Sequence, residues 1–354
     1  MVELLVTITI ITILAGVVLG ALNAARQSAR QDKTRATIAK INHFVMEMYD
    51  SYRTRRVPIN TAGLAPPLAA QVRLAALRDT MRMEMPDRWS DIFAPPLTMI
   101  VGGNTYSVPV PAVCEAYRRQ IRAKFPGLTD AQILNALTTD PVYRNHGSAE
   151  CLFMIVTMRN AEAREQLNES DIGDVNANGF REFLDGWGNP IQFLRWAPGF
   201  NDSDVQPSVM VTDSQTVGVP TANPQLAVFL NARTRAIQDD HDPFDPRRVD
   251  IRPDPNNAGH LLGAWRVVPL IFSAGPDGIY DLSGTAATSL APSTTTPPLY
   301  PYDQYPPSNP CSVYYDATRN VDFMIGSPVD YQKTSPPYEC RHYDNIHNHR
   351  LEVK

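Results

Sequence analysis

Residues 174–185 carry the densest ligand chemistry in the chain: Asp174-Val175-Asn176-Ala177-Asn178-Gly179-Phe180-Arg181-Glu182-Phe183-Leu184-Asp185. An EF-hand-type loop needs oxygen donors at alternating positions, a glycine at the sixth for the sharp turn, a main-chain carbonyl at the seventh and a carboxylate at the twelfth. Asp174, Asn176, Asn178, Gly179, the Phe180 carbonyl, Glu182 and Asp185 fall on that spacing. Two positions depart from the pattern. Asp185 stands where a longer Glu usually reaches the ion with both oxygens, and Arg181 stands where an apolar residue is usual. The same residue types also close metal-free turns by local hydrogen bonding, so a structural calcium ion and a bare turn are the two readings, and the spacing favours calcium. No second helical pattern follows, which argues against a paired, opening calcium sensor.

Glu3 is the second residue that asks for a partner. It precedes an apolar run, 4–22, that contains no charged residue, and charge returns only at Arg26, Arg30, Lys33 and Arg35. A run of about 19 residues at 1.5 Å rise approaches the roughly 30 Å of a bilayer's hydrocarbon core. A carboxylate at the edge of lipid is costly unless a cation meets it. A secretory signal peptide would carry basic residues before its apolar stretch, whereas here an acid stands in that place. Chemistry of other kinds has little to rest on: the chain has no Gly-x-Ser-x-Gly elbow, phosphate-binding glycine loop or His-Glu-x-x-His, so no enzymatic activity is expected. The net charge of -5 gives no basic field for nucleic acid. The acidic run Asp239, Asp240, Asp242 and Asp245 reads as a solvated loop, and the terminal His342, His347 and His349 lack an acidic frame for a metal.

The elements that position these residues follow from periodicity. Ile38, Ile41, Phe44, Val45, Met48, Tyr49 and Tyr52 recur at helical spacing, and no Gly-Pro break occurs before Pro58. One rod of about 50 residues, on the order of 80 Å, is therefore expected. Residues 58–170 read as mainly helical, with helices over 68–85, 111–125, 129–137 and 148–166. The prolines at 95–96, 109 and 111 act as breakers between them. Beyond 170 the turn residues multiply. Asp185-Gly186-Trp187-Gly188-Asn189-Pro190 leads into the strand pattern 191–196, and a second strand pattern, 269–273, runs into Ser273-Ala274-Gly275-Pro276-Asp277-Gly278. The Asn/Pro-rich connections, including 201–225 and 294–310, are expected to be exposed.

The segment MVELLVTITIITILAGVVLGAL resembles the N-terminus of type IV pilins and type II secretion pseudopilins, with Glu3, Leu4 and Leu5 on the family's Glu-Leu-Leu. The turn at Trp187, Gly188, Asn189 and Pro190 and the Ser273–Gly278 turn are similar to two motifs of the major pseudopilin. The resemblance covers about the first 55 residues and these two stretches. It departs at the start, where the family's basic leader, Gly and Phe are absent; the expectation is that Met1 is an internal methionine with a leader encoded upstream. The resemblance implies an α+β lollipop: an N-terminal transmembrane and assembly helix (1–57), a mainly helical insertion (58–170), and a β-rich C-terminal domain with a small antiparallel sheet and calcium loop (171–354). It implies a single pass through the inner membrane with the globular part in the periplasm or outside. The partners implied are like subunits in a helical filament, together with other pilins or pseudopilins, where Glu3 meets a neighbour's terminal amine. A second calcium position at Ser273, Asp277 and Asp281 is implied more weakly. An exported domain permits disulfides. Four cysteines allow three pairings; Cys114 with Cys151 and Cys311 with Cys340 are favoured because each pair lies within one region, with free buried thiols as the other reading. A monomeric membrane-tethered envelope protein, binding module or enzyme, is the alternative to a filament subunit.

Overall fold

The computed structural model describes residues 2–197, 200, 202–206, 241–249, 251–253, 261–263, 266–282, 314–316, 321–323, 326 and 344–351. Cys311, Cys340, His342, Asp239, Asp240 and the segment 294–310 lie outside the described residues. The fold is α+β, with one long N-terminal helix, a set of shorter helices and small antiparallel sheets. Helix α1 (Val2–Ser51) is unbroken over 50 residues, about 75 Å at 1.5 Å per residue. Its composition divides it: the first half is apolar on every side, and from Thr34 onward one stripe of Thr34, Thr37, Ile38, Ile41, Phe44, Val45 and Tyr49 is buried.

Helices α2 (Pro66–Glu84), α3 (Trp89–Phe93), α4 (Ala112–Lys124), α5 (Asp130–Thr139), α6 (Pro141–Arg144), α7 (Gly147–Arg159) and α8 (Ala161–Gln166) follow. Proline at the first turn opens α2 and α6, where its missing N–H costs nothing. Thr129 and Gln132 form a reciprocal capping box on α5. The helix expected over 148–166 is two: Asn160 is extended and its side chain caps α8. Between the proline breakers lies an unexpected hairpin, β1 (Met99–Val101) with β2 (Asn104–Tyr106), turning on Gly102 and Gly103 at positive φ.

The C-terminal part contributes β3 (Ile172–Gly173) with β4 (Glu182–Phe183), which bracket the 174–181 loop. The strands β5 (Gln192–Leu194), β6 (Ile251–Pro253), β7 (Leu261–Gly263), β8 (Leu270–Ser273), β9 (Tyr314–Asp316), β10 (Val321–Phe323) and β11 (Ile346–His347) complete the set. Among them the three-stranded sheet β11-β8-β5 is antiparallel throughout, with Phe193 opposite Ile271 and Ile346 opposite Ser273. Ile38, Ile41, Phe44, Val45 and Tyr49 of the α1 stripe, Leu74, Leu77 and Met81 of α2, Leu152, Ile155 and Val156 of α7, and Phe193 and Ile271 of the sheet belong to one apolar cluster. The helices of 58–170 therefore share their core with the sheet.

Two expectations are corrected. Cys114 and Cys151 are free and buried, and no bridge joins them. Cys114 packs with Ala76, Met83 and Val108, whereas Cys151 belongs to a separate cluster with Trp89, Ile121 and Met154. Burial pushes the Cys114 thiol up to about 11. Of the acidic run, Asp242 and Asp245 are buried where a solvated loop was expected. Asp242 pairs with Arg78 at 2.6 Å, and Asp245 accepts from the Val249 N–H. His349 is buried against Phe200 and the Pro269 carbonyl, and burial lowers its pKa to about 3, so it packs as a neutral ring.

Behind β5, Arg195 is fully buried and binds the Asp91 carboxylate at 2.7 Å and the Met85 carbonyl at 2.8 Å, while its own N–H donates to Asp87. Arg88 holds Asp87 from the other side at 2.9 Å. Removing one partner of such a group strands buried charge. Arg195→Met is expected to destabilise the fold by about 3–5 kcal/mol, and adding Asp87→Asn and Asp91→Asn should recover part of that loss. Denaturant unfolding of the three variants measures both effects.

Candidate functional site

Two regions answer to the residues singled out in the sequence: the free half of α1 with Glu3, and the junction where the 174–190 segment meets α1 and α7. Every residue from Val2 to Arg30 is exposed, and this helix is long and apolar enough to cross a membrane. Three of its polar side chains are satisfied within the helix: Thr7, Thr9 and Thr12 donate to the carbonyls of Glu3, Leu5 and Ile8 at 2.7–2.8 Å. Such bonding removes hydroxyl donors that lipid would leave unmet. Glu3, Leu4 and Leu5 stand in the first turn, with Leu4 and Leu5 both more than two-thirds exposed or close to it at 67% and 69%.

The two turn motifs, 88 residues apart, come together on α1. Asp185 Oδ1 accepts from the Trp187 and Asn189 N–H groups at 2.8 Å each, and its Oδ2 accepts from Ser273 Oγ at 2.7 Å. Ser273 Oγ in turn accepts from the Gly275 N–H. The turn so held presses on the helix: Gly186 N–H donates to Thr34 Oγ1 and Trp187 Nε1 to Gln27 Oε1, both at 2.8 Å. Gly188 adopts φ +91, which leaves it to glycine, and the bridge Leu184 to Pro190 leads the chain into β5. On the neighbouring residue of α1, Lys33 binds Asp171 at 2.7 Å.

This geometry corrects the twelfth position of the expected calcium loop. Both Asp185 oxygens are taken, by the Trp187 turn and by Ser273. Inside the loop, Asp174 accepts from the Asn178 and Gly179 N–H groups at 3.0 and 2.7 Å, Asn176 Oδ1 from Asn178 at 3.2 Å, and Asn178 Oδ1 from Phe180 at 2.8 Å. Phe180 is buried against Trp89 at 5.0 Å between ring centres. Glu182 is fully buried and turned to His146 Nδ1 at 3.0 Å, and that contact raises the His146 pKa. Its Oε2 accepts from the loop's Val175 N–H at 3.3 Å; among the described residues no group of three or more His, Cys, Asp or Glu that could hold a metal ion is formed. At the weaker position, Ser273 is taken by Asp185 and Asp277 caps the Ile279 N–H.

A residue that sequence reading passed over is Glu150, in the first turn of α7 and fully buried. Its Oε1 receives the side-chain amides of Asn178 and Asn176 at 2.7 and 3.3 Å. Burial pushes its pKa up to about 8. The available signal was an acid inside the apolar stretch Ala149-Glu150-Cys151-Leu152-Phe153-Met154. Compared with protein-family models, curated proteins and solved structures, the chain matches none of them.

The closeness of the turn to the helix yields a direct test. A Cβ on Gly186 would fall on the Arg30 backbone, which cannot yield as a side chain can, whereas nothing lies within 4 Å of a Cβ on Gly20. Gly186→Ala is expected to cost about 1–3 kcal/mol by overpacking, while Gly20→Ala leaves the midpoint unchanged or slightly raised. Thermal unfolding followed by circular dichroism in detergent measures both.

Proposed function

We propose that the chain is a subunit of a membrane-anchored filament of the type IV pilin or type II secretion pseudopilin kind, assembled through α1. The observation that carries this reading is the division of one 50-residue helix into a docked half and a free apolar half that begins with Glu3. A helix hydrophobic all round seeks either lipid or other helices. Leaving a membrane for a filament core exchanges the first for the second at little cost in apolar burial. In this reading Glu3 meets the terminal amine of a neighbouring subunit. A buried charge stranded without its partner is penalised by several kcal/mol, so such a pair enforces axial register more than it adds net stability. The contact is head-to-tail and does not close, which is the condition for a helical filament.

The globular part fits the role of a head carried on the helix, a lollipop outline in keeping with the resemblance of the N-terminal segment. Its placement on the far side of an inner membrane belongs to the same proposal. A tethered monomer would need the span of α1 and no carboxylate at its third residue, so Glu3 separates the two readings.

Glu3→Leu keeps the span and removes the charge. The expected outcome is that the variant inserts into membranes and keeps the wild-type melting behaviour of its globular part, while the sedimentable, assembled fraction falls at least about tenfold, the equivalent of about 1.4 kcal/mol. Wild-type assembly by this variant, scored by shearing and ultracentrifugation, contradicts the proposal.

A further inference from the structure

A groove of about 470 Å³ opens between the end of α1, α2 and the 244–247 turn, and Arg55, Arg56, Arg73 and Arg247 line it. Its floor is apolar. Leu74, Leu77 and Phe244 lie nearly buried beneath it, and Phe244 is fixed edge-on against Tyr49 at 4.9 Å between ring centres. The turn that carries Arg247 is held from within. Asp242 Oδ1 accepts from the Phe244 N–H at 2.9 Å, and Asp245 Oδ1 from the Val249 N–H at 3.0 Å. The groove is thus preformed, and its volume falls in the range of about 300–1,000 Å³ that ligand sites occupy.

Arg55 is engaged, donating from both terminal nitrogens to Glu84 at 2.5 Å. Arg56, Arg73 and Arg247 are exposed, and among the described residues no carboxylate meets them. Acids on the surrounding elements are already taken: Asp50 by Arg53, Asp79 by Arg82, Glu84 by Arg55 and Arg159, and Asp242 by Arg78. The positive rim is therefore not neutralised by these neighbours, in a chain whose net charge is -5. Its carboxylates must come from outside.

The three unpaired cations sit on three elements, the α1–α2 connection, α2 and the 244–247 turn. Several anions spaced along a chain suit that arrangement better than one head group does, and the floor between them asks for an apolar side chain. Lipid is out of reach, because Ser51 at the end of α1 stands 29 residues, about 44 Å, from Leu22, where the apolar run ends. We propose that this groove binds an acidic, extended segment of a partner protein. One apolar side chain of that segment rests on Leu74, Leu77 and Phe244, and carboxylates on either side of it pair with Arg56, Arg73 and Arg247. Guanidinium forks match carboxylates with two parallel hydrogen bonds, and arginine clusters recur where acidic motifs are read. The inference stands apart from assembly through α1, since a chain that never polymerises presents the same groove.

The probe is a fluorescein-labelled peptide, Asp-Glu-Asp-Phe-Glu-Asp-Glu, titrated with full-length protein in non-ionic detergent and read by fluorescence anisotropy. Saturable binding is expected, weakening as salt rises. Replacing Arg56, Arg73 and Arg247 together by Ala should weaken it about tenfold or more, whereas Arg119→Ala, at an exposed position on α4, should leave it unchanged. A peptide with Asn and Gln in place of its acids, and one with Ala in place of Phe, should each bind at least about tenfold more weakly. These peptide variants leave the protein untouched, so the result does not hinge on the folding of an altered chain. No saturable binding up to about 1 mM, equal binding of the uncharged peptide, or equal binding by the folded triple variant overturns the site. Displacement of the peptide by an equal concentration of inorganic phosphate, which marks a simple anion site, also overturns it. So does self-association of the Glu3→Leu chain that the triple variant abolishes, since the occupant would then be a second copy.

Discussion

One helix must satisfy two incompatible surroundings, and the rest of the architecture follows from that. The first half of α1 offers apolar side chains on all sides and buries none of them within the chain, while the second half narrows to a single buried stripe. A free helix with so much exposed Leu, Ile and Val is not stable in water as a solitary species. In the proposed reading, lipid or like helices cover one end, while a fixed, well-packed head holds the other. The head supplies the second condition through α2, α7 and the β11-β8-β5 sheet, all of which meet on the α1 stripe.

Polar joints fix that stripe at both ends. Toward the free apolar half, the Asp185 turn holds Thr34 and Gln27 and is itself tied to β8 through Ser273. At the far end, Glu84 gathers Tyr52, Arg55 and Arg159, at 2.7, 2.5 and 2.9 Å, and so joins the ends of α1, α2 and α7. Burial would raise the Glu84 pKa, but these partners hold it below the usual carboxylate range. Between Thr34 and Tyr52 the helix runs about 27 Å, long enough for a rigid seat. A force applied to the free half is thus carried into the sheet and the helical layer together.

Much of this was legible in the chain because its causes are local. The long N-terminal helix, the helices over 68–85, 111–125 and 129–137, and the glycine turns at 186–188 and 275–278 each depend on residues within one or two turns of each other. What was not legible depends on distant partners. Asp185 fits the twelfth place of a calcium loop by spacing, yet Ser273 and the Trp187 turn claim it. Asp242 looks like one charge in a solvated run until Arg78, 164 residues away, is folded against it. Cys114 and Cys151 share a region of sequence but face different apolar clusters, and the β1–β2 hairpin lies in a stretch where the prolines announce only a break. Glu150 was hidden by its setting, since an acid inside an apolar helix is read as a lapse in the pattern until the loop that it meets is in place.

The central claim is that the apolar half of α1 packs against the same half of other copies. Single cysteines at Ile10 and Val17, both exposed on this half at 50% and 65%, allow it to be tested in intact membranes by oxidative cross-linking, with the native thiols replaced. The account predicts cross-linked species that extend beyond dimers and that disappear when Glu3 is neutralised. A single monomer band with either cysteine, from protein that is inserted and folded, would contradict it.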